Sequence, residues 1–357
     1  MTLIIAEAGV NHNGDSKVAF KLIDAAKKAG ADVVKFQTFK AKNLATESAS
    51  KAKYQLSSGK TDESQLDMLV RLELPYALHY DLISYCKEIG IQFLSTAFDS
   101  ESLRFLVNDL GLTLLKIPSG ELTNAPFVLE HARTGCSLIV STGMSSLAEI
   151  ESALGVIAFG YASDMDAKPS IKAFQSAYTS EIGQRMLRQK VTLLHCTSEY
   201  PAPLHSINLN VIKTLEQAFG LPVGYSDHSE GISISIAAVA KGAVVVEKHF
   251  TLDQNMEGPD HKSSLEPDEL SAMVTGVRAV ELALGSALKA PTVQELDNKV
   301  AVRKSVVAAQ NIMEGDLFSS ENLTTKRPGS GLSPEEYWRL IGTVSKNHYR
   351  EGDMIIE

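Results

Sequence analysis

A repeated pattern constrains this chain more than any other feature. A short apolar run ends in a polar or charged residue, and a helix-like stretch follows. Runs of this kind occupy residues 3–6, 32–34, 91–94, 114–115, 137–140, 191–194, 223–225 and 244–249. Each is followed by apolar residues at helical spacing, often closed by glycine as at Gly30, Gly90 and Gly111. Strands alternating with helices predict a parallel sheet covered by helices, and eight such units predict a closed (β/α)8 barrel over residues 1–285. A doubly wound open sheet is the alternative. No run leads into a glycine-rich phosphate fingerprint opening a helix, which disfavours it.

In a barrel the active site lies at the C-terminal ends of the strands. The residues at those ends are Glu7, Lys35, Thr96, Lys116, Ser141, His195, His228 and His249. Any one alone is an ordinary strand-end polar residue; eight converging on one rim predict a site. Residues 244–262 (VVVEKHFTLDQNMEGPDHK after Ala243) are the densest case, an apolar strand opening into Glu247, Lys248 and His249. Such groups are costly to bury without partners or a ligand.

His228 and His249, on neighbouring strand ends, suit a divalent transition metal, with Asp227 or Asp260 as further donors. Lys35 and Lys116 with Ser119, Ser141, Ser198 and Ser226 form an anion cradle for phosphate and carboxylate. A lysine forming a Schiff base, as in class I aldolases, stays open at this point. Glu7 and Glu121 fit a general acid/base and a clamp on substrate hydroxyls, or else structural partners of the two lysines.

Three regions carry less signal. Residues 38–64 are polar and aperiodic, the mark of a functional or disordered loop. Residues 160–190 form an excursion with one helix expected within 171–188. Residues 286–299 read as a linker, after which 300–357 form a small β-rich domain with an internal repeat, EGDL at 314–317 and EGDM at 351–354. Between the repeats, TTKRPG places Arg327 in a basic loop, where a solvated arginine is the plain expectation.

The net charge of −9 and the absence of a long basic run argue against nucleic acid. No apolar run reaches membrane length. The N-terminus lacks the basic lead of a signal peptide, and Cys86, Cys136 and Cys196 are isolated, so a reducing cytoplasm is expected.

The chain resembles the bacterial sialic-acid (nonulosonate) synthase family. The resemblance runs through AEAGVNHNG, VKFQTFKA, FLSTAFD, KIPSGEL, STGM, HCTSEYPAP, GYSDH, VEKHFTLD, GPDHK and TTKRPG. It implies a TIM barrel followed by an antifreeze-like (SAF) domain, in a domain-swapped homodimer. The implied reaction condenses phosphoenolpyruvate with an N-acetylated hexose and water, giving a 2-keto-3-deoxy nine-carbon acid and phosphate by C–O cleavage. Mn2+ or Mg2+ is the implied cofactor, held by His228 and His249. By motif, Lys35, Thr96, Lys116, Ser119, Ser141, Ser198 and Ser226 correspond to the phosphoenolpyruvate site and Glu7 to the catalytic carboxylate. Gln37, Glu121, Tyr200 and Asp260 correspond to sugar contacts, and Arg327 to a contact with the N-acetyl group made from the partner chain. Ser198 stands at or beside a position where the family often carries asparagine. The implied product is N-acetylneuraminate, from N-acetylmannosamine; N,N'-diacetyllegionaminate, from a 6-deoxy diacetamido sugar, is the alternative. A non-catalytic glycan-binding protein is the distant one.

Overall fold

The structure is a computed structural model and describes residues 1–49, 51 and 63–356. It divides into two compact units, Met1–Gly285 and Ser286–Glu357.

The first unit is a closed barrel of eight parallel strands in sequence order: β1 Leu3–Gly9, β2 Val33–Thr38, β3 Gln92–Ala97, β4 Leu114–Ile117, β5 Ser137–Ser141, β6 Val191–Cys196, β7 Val223–Asp227 and β8 Val245–His249. The expected barrel is thus the observed one, with most strands reaching a few residues beyond their apolar runs. Those extra residues are the polar ends. They stay in the ladder because the register fixes them: Glu7 pairs with Lys35 on one side and His249 on the other, and Ser226 pairs with Glu247.

Strand parity divides each strand between two faces. Inward positions below the rim carry Ile5, Val33, Leu94, Ile139, Leu194 and Val245, which fill the lumen. β7 contributes Gly224 to this layer. A Cβ there would lie 2.6 Å from the carbonyl oxygen of Val245 and 2.7 Å from Leu194 Cδ2, so the lumen closes only because the position is glycine. The outward positions pack on the helices in two larger clusters.

Two helices replace the one expected over 171–188. Ile171–Thr179 and Glu181–Lys190 break at Ser180, whose hydroxyl accepts from Gly183 N and caps the second helix. The expected linker also carries structure. Thr292 and Glu295 form a capping box that opens the helix Val293–Val302. The segment 38–64 lies partly outside the described residues. Its described start ends β2 and forms the one-turn helix Ala41–Leu44, and Ser64 caps the helix Gln65–Leu72.

In the second unit, antiparallel strands β9 Ser305–Ala308 and β10 Leu323–Lys326 pack a core that includes Val306, Ile312, Phe318 and Tyr349. The two EGD repeats form matching turns. Asp316 accepts from Met313 N at 2.8 Å and Asp353 from Arg350 N at 2.7 Å, with Gly315 and Gly352 both left-handed. No helix among the described residues is long and apolar enough to cross a membrane.

Replacing Gly224 by alanine is expected to lower stability by about 1–3 kcal/mol through overpacking against backbone. The measurement is the urea midpoint, which should fall while the slope of the transition stays constant.

Candidate active site

A cavity of about 730 Å³ opens at the C-terminal rim of the barrel. It is lined by Glu7, Lys35, Gln37, Thr96, Lys116, Ser119, Glu121, Ser141, Ser198, Tyr200, Ser226, His228, His249 and Asp260, which are the barrel residues that the sequence assigned to the site apart from His195 and Asp227. Arg327 belongs to the second unit, where it is exposed just after β10.

The centre of the cavity is a buried charge network whose hub sequence reading left without a role. Glu247 accepts from Lys116 Nζ at 2.7 and 3.1 Å and from Ser226 Oγ at 2.8 Å, and lies 3.4 Å from Lys35 Nζ. Lys35 in turn sits 2.5 Å from Glu7 and donates to Thr96 Oγ1 at 3.1 Å. Gln37 Nε2 donates to the other oxygen of Glu7 at 3.3 Å. Burial opposes charge on all these groups. At Lys35 it is outweighed by Glu247 and Glu7, so the ammonium is held above its ordinary range. At Glu247 it is outweighed by Lys116 and Lys35, and the carboxyl titrates well below the usual range. At Glu7 burial, aided by repulsion from Glu247, outweighs the pull of Lys35 and shifts the carboxyl upward. The inward direction of Glu247 follows from its place two residues before His249 on one strand, which gives the two a common face; its partners come only with the fold.

The serines surround this network. Ser141 Oγ is buried with no partner. Ser119 Oγ accepts from Gly143 N at 3.0 Å and lies 3.1 Å from Cys196 Sγ. Gly143 gives the close approach here, since a Cβ would fall 2.3 Å from Ser198 Oγ. Glu121 accepts from Asn124 Nδ2 at 2.7 Å, which turns it along the rim. Asp260 is buried, and burial followed by repulsion from Glu7 raises its carboxyl to about 7.

The two imidazoles meet with ring centroids 5.8 Å apart. Tyr200 lies over His228 at 4.1 Å and edge-on to His249 at 5.7 Å. His228 Nδ1 donates to the Thr197 carbonyl at 2.7 Å, so its Nε2 keeps a lone pair. Burial lowers His228 to about 4 and His249 well below the ordinary histidine range, so both rings are neutral. His249 Nδ1 is buried without a partner. This donor chemistry fits a divalent ion. Among the described residues no group of three or more His, Cys, Asp or Glu is arranged to hold a metal, so such an ion would complete its shell from water and substrate oxygens.

Several sequence expectations are corrected. Asp227, offered as a further metal donor, faces away from the cavity. It sits 3.1 Å from Lys248 Nζ and accepts from Ser229 and Ser235 hydroxyls at 2.6 Å each. His195 is also on the outer face, its Nε2 donating to the Ile207 carbonyl at 2.6 Å.

Residues 22–289 match the NeuB family, and residues 303–356 match the SAF domain. The chain is 49% identical over 356 residues to an N,N'-diacetyllegionaminic acid synthase of Campylobacter jejuni, covering 100% of this chain and 99% of that protein. It is 42% identical to a synthase of the same name from Legionella pneumophila, covering 95% and 89%. Among solved structures, an N-acetylneuraminic acid synthetase from Leptospira borgpetersenii, crystallised with citrate, superposes with a TM-score of 0.67 at 31% identity over 83% of this chain and 90% of that one.

Lys248→Met is expected to cost about 3–5 kcal/mol, because it strands the buried Asp227 carboxylate. Thermal denaturation should show the loss, and adding Asp227→Asn should recover most of it.

Proposed function

This chain belongs to the NeuB family, and on that premise we propose that it condenses phosphoenolpyruvate with an open-chain 6-deoxy diacetamido hexose. The product is then an N,N'-diacetyllegionaminate-type acid. Membership makes it a phosphoenolpyruvate-dependent nonulosonate synthase. The choice of acceptor is our reading. It is supported by the names of the two relatives at 49% and 42% identity, against 31% for the sialic-acid enzyme. N-acetylmannosamine, leading to N-acetylneuraminate, is the second reading and uses the same chemistry.

One observation carries the reaction class. Two lysines, a ring of serines, a buried carboxylate with an upward-shifted pKa and two neutral imidazoles line a single cavity. Lys35, Lys116, Thr96, Ser119, Ser141, Ser198 and Ser226 bind the phosphate and carboxylate of phosphoenolpyruvate. The unpartnered Ser141 hydroxyl leaves a donor for an oxyanion oxygen, and Gly143 lets the Ser119 and Ser198 hydroxyls come close to its backbone. His228 and His249 would hold Mn2+ or Mg2+, whose contribution when bound is to polarise the acceptor's aldehyde oxygen. The alkene carbon of phosphoenolpyruvate attacks the aldehyde carbon, and positive charge develops at the enol carbon. Glu7 faces that charge and takes the proton of the water that adds there, or of a sugar hydroxyl. The tetrahedral centre then expels phosphate by cleavage of its C–O bond; its remaining hydroxyl proton leaves with the phosphate as the keto group forms, and the proton taken by Glu7 passes to the alkoxide left on the former aldehyde oxygen.

Gln37, Glu121, Tyr200 and Asp260 position the acceptor along the rim. Arg327 of the partner subunit reaches its N-acetyl group in a homodimer; this element rests on the family resemblance. The three free, buried cysteines fit a reducing cytoplasm. A Schiff-base aldolase needs a neutral lysine. Lys35 is instead held protonated by Glu247 and Glu7, and Lys116 is ion-paired to Glu247.

In solvent labelled with heavy oxygen, manganese-dependent turnover is expected to place label in the keto acid and none in phosphate. Label in phosphate overturns the C–O route. Glu247→Gln, which releases two lysines and Ser226 from their common anchor, should lower kcat/KM by about a hundredfold in a phosphate-release assay.

A further inference from the structure

The polar part of the cavity serves phosphate, carboxylate and aldehyde. Another part of its lining is carbon. Val10, Phe39, Leu44, Leu69, Leu72 and Phe98 border the same cavity. With Met68 they form a hydrophobic cluster separate from those that pack the barrel. These residues come from the segments that follow β1, β2 and β3, not from inward strand positions.

The plain account of such a cluster is that it seats the helix Gln65–Leu72 on the barrel. Met68 and Leu72 do that, being 3% and 1% exposed. Leu44, Leu69 and Phe98 do more than this account requires. They are only half-buried, and each borders the cavity. Phe98 is fixed edge-on against the buried Phe39 ring, with centroids 6.3 Å apart. Apolar surface facing a water-filled cavity is covered favourably by methyl groups. A hydroxyl set against it exchanges water for no partner.

We propose that Leu44, Leu69 and Phe98 are a specificity wall for the end of the acceptor distant from its aldehyde, selecting a 6-deoxy sugar over the 6-hydroxy counterpart. This inference rests on the synthase reading above and adds the side chains that choose the acceptor. No member of the wall belongs to the charge network, so its loss acts on acceptor binding and not on phosphoenolpyruvate.

The test measures phosphate release by the full chain with manganese and saturating phosphoenolpyruvate. The acceptors are N-acetylmannosamine, its 6-deoxy counterpart and the 6-deoxy diacetamido sugar. Wild type should favour 6-deoxy-N-acetylmannosamine over N-acetylmannosamine in kcat/KM by about 10–200-fold, the range a hydrophobic pocket supplies for such a change. Leu69→Gln should shrink that ratio by about tenfold through the acceptor KM, with the KM for phosphoenolpyruvate unchanged; Leu69→Met should keep it. Leu44→Gln, on a separate helix, repeats the test independently of the packing of Gln65–Leu72. A wild-type ratio near one, or a ratio unmoved in both Gln variants, overturns the wall while release from phosphoenolpyruvate keeps the synthase reading intact. No release with any of the three acceptors overturns the synthase reading, and the wall with it.

Discussion

Lys116 and Glu247 lie on β4 and β8, opposite one another in an eight-stranded ring, and their ion pair crosses the mouth of the barrel. Each charge is almost wholly removed from water, and burying either alone costs several kcal/mol. The pair therefore exists only when the barrel is closed and both strands are in register. Lys35 and Glu7 join it from β2 and β1, so four strands supply one network with two positive and two negative groups. The site comes preassembled. On the proposed reading, an arriving phosphate meets ammonium groups already held in place by their carboxylates, so little reorganisation remains for the reaction.

β8 carries a second buried pair on its other face, shared with β7. Glu247 and His249 point inward, while Lys248 between them points out to Asp227. Asp227 in turn collects hydroxyls from Ser229 and from Ser235 on the helix Ser233–Ala240. The inner face thus holds the chemistry. The outer face ties β7, β8 and a covering helix together beside the two imidazoles, with charge where other strands use aliphatic packing.

Much of this was legible in the residues because a barrel turns a one-dimensional pattern into a ring. Strand ends recur in sequence, and all of them meet at one rim. What failed was parity. Asp227 and His228 are adjacent, and only the ladder decides which one faces in; Tyr225 and His195 form a similar outer pair. Glu247 stood in the densest stretch of the chain, yet its role depends on a partner 131 residues away. The two helices within 171–190 were hidden because Ser180 ends one and caps the next, so apolar spacing shows no gap. The apolar wall was invisible for a different reason. Its side chains are scattered from Leu44 to Phe98 with no common period, and only the folded barrel brings them together.

The division of labour between strands and loops bears on how such enzymes can differ in length. Inside a strand, inserting or deleting one residue exchanges the two faces, so in β8 it would put Lys248 in the lumen and send Glu247 and His249 toward the helices. Segments such as 39–49 and 63–72 obey no such two-residue rhythm. They hold no member of the charge network, so a change of length there leaves untouched the strand parity that aims it. With Leu44 and Leu69 of the proposed wall lying there, a graft made in those segments is expected to change what the enzyme accepts while leaving intact how it reacts.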